Sequence, residues 1–130
     1  MKRLIDIGFR KVGEWKMLNE RINPNLSELA NVSNILYAFI SNGEILYVGK
    51  TTQTLQKRLY GYQKPGPSQF TNIKGNKLLK EFLAEGKLIS IYALPDDGLH
   101  HIGIFHLNLA AGLEDSILAT IKPKWNGSLK

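Results

Sequence analysis

The sequence predicts an α+β domain, a small antiparallel or mixed β-sheet flanked by helices. Two observations carry this. The first is "NILYAFISNGEILYVGKT", two β-rich runs joined by Asn42-Gly43. That dipeptide tolerates positive φ at both positions, as a type I′ hairpin turn requires. The second is that a third such run, "KLISIYAL", lies among segments of helical periodicity. Sheet and helices must bury their apolar faces on one another.

In chain order, Phe9 to Ile22 carries Val12, Trp15, Leu18 and Ile22 at helical spacing and predicts a helix. "NPNLSELANVSN" predicts a connector with a short helical turn at Leu26–Leu29. The hairpin strands fall at about 34–41 and 44–50, with Ile35, Tyr37 and Phe39 on one face and Leu36, Ala38 and Ile40 on the other. Cap residues between Thr51 and Thr54 precede a helix, "LQKRLYGYQ", with Leu55, Leu59 and Tyr62 inward. "KPGPSQFTN" is a loop. A second helix runs from about Thr71 to Glu85, burying Ile73, Leu78, Leu79, Phe82 and Leu83 and ending at Gly86. The third strand occupies 88–94. "PDDGLHHIGIFHLN" is irregular or a poor strand, and "LAAGLEDSILATIK" is a helix stopped by Pro123.

A length of 130 residues, without repeat or linker, fits a single domain, 1–130, with a helical N-terminal extension over about 1–33. Hydrophobic residues at 43% and charged residues at 22% exclude disorder throughout. No apolar run approaches the ~20 residues of a membrane span, and the polar start does not resemble a secretory signal. The absence of Cys excludes disulfides and thiolate metal sites. A cytoplasmic protein without membrane contact is the expectation.

The net charge of +6 points toward a polyanion. No acidic residue lies between Glu44 and Glu81, a stretch holding Lys50, Lys57, Arg58, Lys64, Lys74, Lys77 and Lys80. A solvated basic surface accounts for charge alone. Chemistry-bearing residues, however, fall within and around this stretch. Tyr37 and Tyr47 sit on the two arms of the hairpin, and Lys50 follows. Arg58 and Tyr62 lie one turn apart on the next helix. Glu114 lies on the last helix and Asn126 in a terminal "PKWN". Singly, each has an ordinary role as a packing tyrosine or a solvated charge.

Together they resemble the GIY-YIG nuclease superfamily. "ILY" at 35–37 and "YVG" at 47–49 are similar to its two half-motifs. Lys50, Arg58, Tyr62, Glu114 and Asn126 follow in family order, so the resemblance spans about 34–127. Residue 35 is Ile where the motif has glycine. "LYVGKTT", the "PG" loop and "PKWN" are most similar to the branch with small type II restriction endonucleases and bacteriophage endonuclease II.

The resemblance implies a metal-dependent DNA endonuclease. Tyr37, assisted by Tyr47, is the implied water-activating group. A phenol with a pKa of about 10 is a poor base at neutral pH, so nearby cations, here Lys50 and Arg58, are expected to favour the phenolate. The same cations suit the scissile phosphate, Arg58 through its fork. Glu114 is the implied ligand of one Mg²⁺, for which Mn²⁺ can substitute. Tyr62 and Asn126 are implied to position phosphate or water. Gln53, Lys57, Lys64, Gln69, Asn72, Lys74, Asn76 and Lys77 are candidate DNA contacts, though such residues are also ordinary loop content. His100, His101 and His106 lack metal-ligand spacing and are not expected to bind metal.

Double-stranded DNA is the expected partner. Restriction-type or phage-type double-strand cleavage is the expected activity, with a structure-specific or repair nicking enzyme and an inactive nucleic-acid-binding protein as alternatives. Cutting both strands predicts a homodimer or higher homo-oligomer, for which the stripe Val12, Trp15, Leu18 and Ile22 is a candidate interface. The same stripe could instead cover the domain's own sheet.

Overall fold

The computed structural model describes residues 1–96, 101–102, 105–106 and 109–129, with side chains described for 1–96 and 112–127. In chain order the elements are α1 (Lys2–Asp6), β1 (Arg10–Leu18), β2 (Arg21–Leu26), β3 (Ile35–Ser41), β4 (Glu44–Thr51), α2 (Leu55–Gln63), α3 (Phe70–Ala84), β5 (Ile89–Pro95), β6 (His101–Ile102), β7 (Phe105–His106), α4 (Leu109–Ile121) and α5 (Asn126–Leu129). Among the described residues, a five-stranded sheet runs in the order β2-β1-β5-β3-β4. Every adjacent pair in it is antiparallel. The α+β class follows the sequence, and the sheet is wholly antiparallel rather than mixed.

The hairpin forms as expected. Asn42 and Gly43 have φ of 52° and 76°, both in the left-handed region. β3 is buried along its whole length, as a strand covered on both faces must be. Ile35, Tyr37 and Phe39 join one core with α2 and α3 residues such as Leu59, Tyr62 and Leu79. Leu36, Ala38 and Ile40 join a second core with Leu4 of α1 and Ile117 of α4. The Thr54 hydroxyl caps α2 by accepting from Lys57 N at 3.2 Å. Gly86, at φ 81°, terminates α3 with Gly86 N donating to Leu83 O and Lys87 N to Phe82 O.

The N-terminal segment corrects the sequence reading. Only Lys2–Asp6 is helical in the expected extension over 1–33, and the predicted helix over Phe9–Ile22 is the β1–β2 hairpin. The cause is a bulge. The β1–β5 register slips between Lys11 and Gly13, which makes Val12 the extra residue. In a regular strand, positions three apart face opposite sides; the bulge puts Val12 and Trp15 in the same core, and their spacing then mimics a helix. The turn is Asn19-Glu20, both at positive φ (49° and 65°), a type I′ geometry without glycine. Gly13 is needed here, because a β-carbon on it would stand 2.4 Å from the Asn25 carbonyl across the ladder. Val12, Trp15 and Ile22 are core residues and only Leu18 of the stripe is exposed, so the stripe covers the domain's own sheet.

The inward face of α3 also differs. Asn72, Gly75 and Leu79 line it, while Ile73 is exposed. Leu78, Phe82 and Leu83 pack against the core as expected, and the helix in addition turns Asn72 and Gly75 toward Arg58 and Tyr62 of α2. Much of the expected irregular segment 95–108 falls outside the described residues. So do His100 and the side chains of His101 and His106. Among the described residues no helix is long and apolar enough to cross a membrane.

Candidate active site

Tyr37 and Gly49 are paired across β3 and β4, and the tyrosine ring lies over the glycine. A β-carbon at residue 49 would meet Tyr37 Oη at 2.6 Å and Tyr47 Cε2 at 2.9 Å. The glycine of the second half-motif is therefore a space requirement of the two tyrosines. Tyr47 packs its ring 6.1 Å from that of Tyr37. From the helical side, Tyr62 meets Gly75, where a β-carbon would stand 2.7 Å from Tyr62 Cδ1. A glycine inside a helix costs about 1 kcal/mol relative to alanine, so close approach explains its presence.

Arg58 ties these residues together. Its Nε donates to Tyr37 Oη at 3.0 Å, one terminal nitrogen donates to Tyr62 Oη at 2.8 Å, and the other to Asn72 Oδ1 at 2.8 Å. The guanidinium carbon also lies 4.4 Å from the Tyr62 ring centroid. The hydroxyls of Tyr37 and Tyr62 are 2.9 Å apart. One of them donates to the other while both accept from Arg58, so one phenolic proton is left over for a further acceptor. Both tyrosines are fully buried. Burial pushes the Tyr37 phenol well above the ordinary tyrosine range, and the Tyr47 phenol adds to the rise; Arg58 and the hydrogen bonds pull only partly back. Tyr62 is raised for the same leading reason, with Tyr37 and Tyr47 contributing. The expected lowering by cations is thus outweighed by desolvation, and both groups are neutral phenols at neutral pH.

Lys50 and Glu114 form a second cluster. The ammonium lies 3.7 Å from the carboxylate, whose side chain is 16% exposed. Lys50 pairs with Leu36, one rung from the Tyr37–Gly49 pair, and so projects to the opposite face of the sheet, where α4 packs. β4 is one edge of the sheet. The C-terminal segment covers that edge at Leu46, whose carbonyl accepts from Trp125 N at 2.6 Å. It covers it again at Val48, whose N–H and carbonyl pair with the Asn126 amide at 3.0 and 2.8 Å. Asn126 therefore binds backbone and anchors the tail. The next outward-facing backbone groups on this edge are those of Lys50.

Several residues expected to contact DNA are engaged within the protein. Asn72 is buried, holding Arg58 and donating to Gln69 Oε1 at 3.1 Å; that same oxygen accepts from Gly66 N at 2.8 Å. Asn76 donates to the carbonyl of Tyr62 at 2.8 Å and closes the end of α2. Gln53, Lys57, Lys64, Lys74 and Lys77 are exposed. Asn72 and Gly75 are the residues whose site roles sequence reasoning missed. The mid-helix glycine was the available signal.

No family model matches the sequence, and no curated protein matches it. A mutant of bacteriophage T4 EndoII has a similar structure, with a TM-score of 0.75, 24% identity and 97% of each chain covered. This chain shares the fold of that protein. The restriction endonuclease Hpy188I in complex with product DNA is also similar, at a TM-score of 0.53 and 19% identity over 85% of this chain and 72% of that one. Within this fold, β3 and β4 supply Tyr37 and Tyr47, α2 supplies Arg58, and α4 supplies Glu114.

Proposed function

We propose that the chain is a metal-dependent DNA endonuclease that hydrolyses phosphodiester bonds. The observation that carries this reading is the Arg58 fork held against two buried tyrosine hydroxyls beside an exposed groove. That groove is lined by Arg58, Lys57, Lys64, Gln53 and Gln69. An oriented guanidinium suits a phosphate oxygen, and Arg58 keeps N–H groups beyond the three already engaged. The leftover phenolic proton lies in the same network, buried behind Arg58, so a water or phosphate oxygen would meet it only where Arg58 gives way. The likeness to a phage endonuclease and to a restriction endonuclease bound to DNA supports the reading.

Glu114 would hold the cation. Its carboxylate is mostly buried, with one ammonium just beyond hydrogen-bonding distance, a donor set with room for a divalent ion. Bound there, Mg²⁺ or Mn²⁺ would act as a Lewis acid toward the phosphate and leaving oxygen. Lys50 is the adjacent charge that can neutralise the phosphate. The clusters lie on opposite faces of the sheet at the adjacent rungs Tyr37–Gly49 and Leu36–Lys50, so a substrate that reaches both would pass around the β4 edge. Tyr37 orients the attacking water through its hydroxyl and becomes a base only as its proton is lost. Restriction-type or phage-type double-strand cleavage is the mode we infer.

The deciding experiment incubates purified protein with plasmid and Mg²⁺ and sequences the ends. Glu114→Ala should abolish cleavage while DNA binding persists, because the basic surface is untouched. Full activity in EDTA, or in the variant, would overturn the assignment.

A further inference from the structure

The outer face of α2 is a ridge between two basic grooves. Lys57, Tyr60 and Lys64 fall at i, i+3 and i+7, a single exposed stripe. On one side lies the groove that contains Arg58. On the other lies a groove lined by Arg21, Tyr60, Gln63, Lys64 and Lys80. Tyr60 and Lys64 border both, and among the described residues neither lining includes a carboxylate. Tyr60 is 53% exposed, although burying an aromatic residue is favourable. Arg21 comes from the β1–β2 hairpin and Lys80 from α3, so three separate elements converge on the second groove.

We propose that the second groove is a DNA-binding subsite. It takes the sugar-phosphate backbone running on from the scissile phosphate, with the Tyr60 ring set against a base or sugar at the crest. The inference rests on the nuclease reading above and extends it to residues outside the GIY-YIG set. From Lys57 to Lys64 the helix rises about 10 Å, the axial length of about three nucleotides of one strand. Arg21 and Lys80 then meet phosphates beyond the crest. Tyr60 offers a flat face to any base, a contact that tolerates sequence.

The test is a salt titration of binding to a long DNA duplex, in EDTA so that no cleavage intervenes. Each phosphate contact contributes about 0.9 to the slope of log K against log salt. The double variant Arg21→Ala/Lys80→Ala should therefore lower the slope by about 2. A matched control, Lys11→Ala/Lys16→Ala, removes the same charge from β1, beside Glu14, and should leave the slope unchanged. Tyr60→Ala should weaken binding about tenfold, and Tyr60→Phe should restore it, since the ring rather than the hydroxyl makes the contact. A wild-type slope in Arg21→Ala/Lys80→Ala, an equal fall in the control, or undiminished binding by Tyr60→Ala would overturn the subsite while leaving the nuclease reading intact. Failure of the wild-type protein to bind DNA would overturn both.

Discussion

The Tyr37 hydroxyl stands 2.6 Å from where a β-carbon on Gly49 would be. The ring cannot retreat, because it is fully buried and its hydroxyl is bonded to Arg58 and Tyr62. Gly49→Ala should therefore cost about 1–3 kcal/mol of stability as an overpacked core does, and should misplace the Tyr37 oxygen. Gly112→Ala is the contrast, since no described residue lies within 4 Å of its added carbon and it sits in α4. That variant should be neutral or slightly stabilising. Equal melting temperatures for the two variants would show that the tyrosine does not need the glycine.

Arg58→Lys keeps the charge and loses the fork. The native side chain satisfies Tyr37, Tyr62 and Asn72 at once, from three nitrogens in one plane. An ammonium cannot reproduce that plane. At least one buried polar partner loses its bond, at about 1–3 kcal/mol. Cleavage should fall more steeply than binding, because orientation is lost and charge is not. Undiminished cleavage by Arg58→Lys would remove the fork from the proposed chemistry.

How much of this was legible depended on regularity. Asn42-Gly43 announced the β3–β4 hairpin because glycine marks its turn, and strict alternation placed Tyr37 and Leu36 on opposite faces. The β1–β2 hairpin was hidden by the Val12 bulge and by a turn, Asn19-Glu20, whose second residue ordinarily avoids positive φ. Of the expected site, Tyr37, Arg58 and Tyr62 come together directly, and Lys50 meets Glu114. Asn126 contacts backbone instead. The face separation of the two clusters follows from the rung positions of residues 49 and 50, which were readable once the register was known. Asn72 was not readable as Arg58's partner, because a buried Asn and a surface Asn look alike in sequence.

Tyr37→Phe separates chemistry from packing. The ring stays, so the core is kept, while the hydroxyl that Arg58 and Tyr62 contact is lost. Cleavage should drop by about 10² or more, the scale of a lost general acid–base group. Because burial holds the phenol above its ordinary range, phenolate becomes scarcer by about tenfold per pH unit below its pKa. The wild-type rate should thus keep rising with pH and show no plateau below about pH 10 if the phenolate takes the proton. A plateau near neutrality would assign the base elsewhere.

The same burial sets the alkaline limit of stability. In the unfolded chain a tyrosine loses its proton near pH 10, whereas folded Tyr37 and Tyr62 hold theirs to higher pH. Above that point the unfolded state binds fewer protons than the folded one, so stability falls as pH rises, by up to about 1.4 kcal/mol per pH unit for each phenol. Below pH 9 neither contributes any slope. Denaturation series at pH 8, 10 and 11 should show the loss in the wild type and a shallower loss in Tyr37→Phe. Identical slopes would mean that these phenols ionise as freely in the fold as out of it.

Double-strand cleavage places a demand on assembly. Each chain carries one Tyr37–Arg58–Tyr62 cluster and one Lys50–Glu114 pair, enough for one strand. Two antiparallel strands are related by a two-fold axis, so two chains related by the same axis are the economical arrangement. The stripe Val12, Trp15 and Ile22 is used up in the core, which leaves the interface to other surface. Sedimentation with and without a DNA duplex should reveal a dimer or a higher even-numbered assembly in at least one condition, and plasmid should be linearised without accumulating a nicked form. A monomer in both conditions, with nicked plasmid as the end product, would replace the restriction-type mode by single-strand nicking. It would leave the active-site assignments to be judged on the Glu114 and Arg58 variants alone.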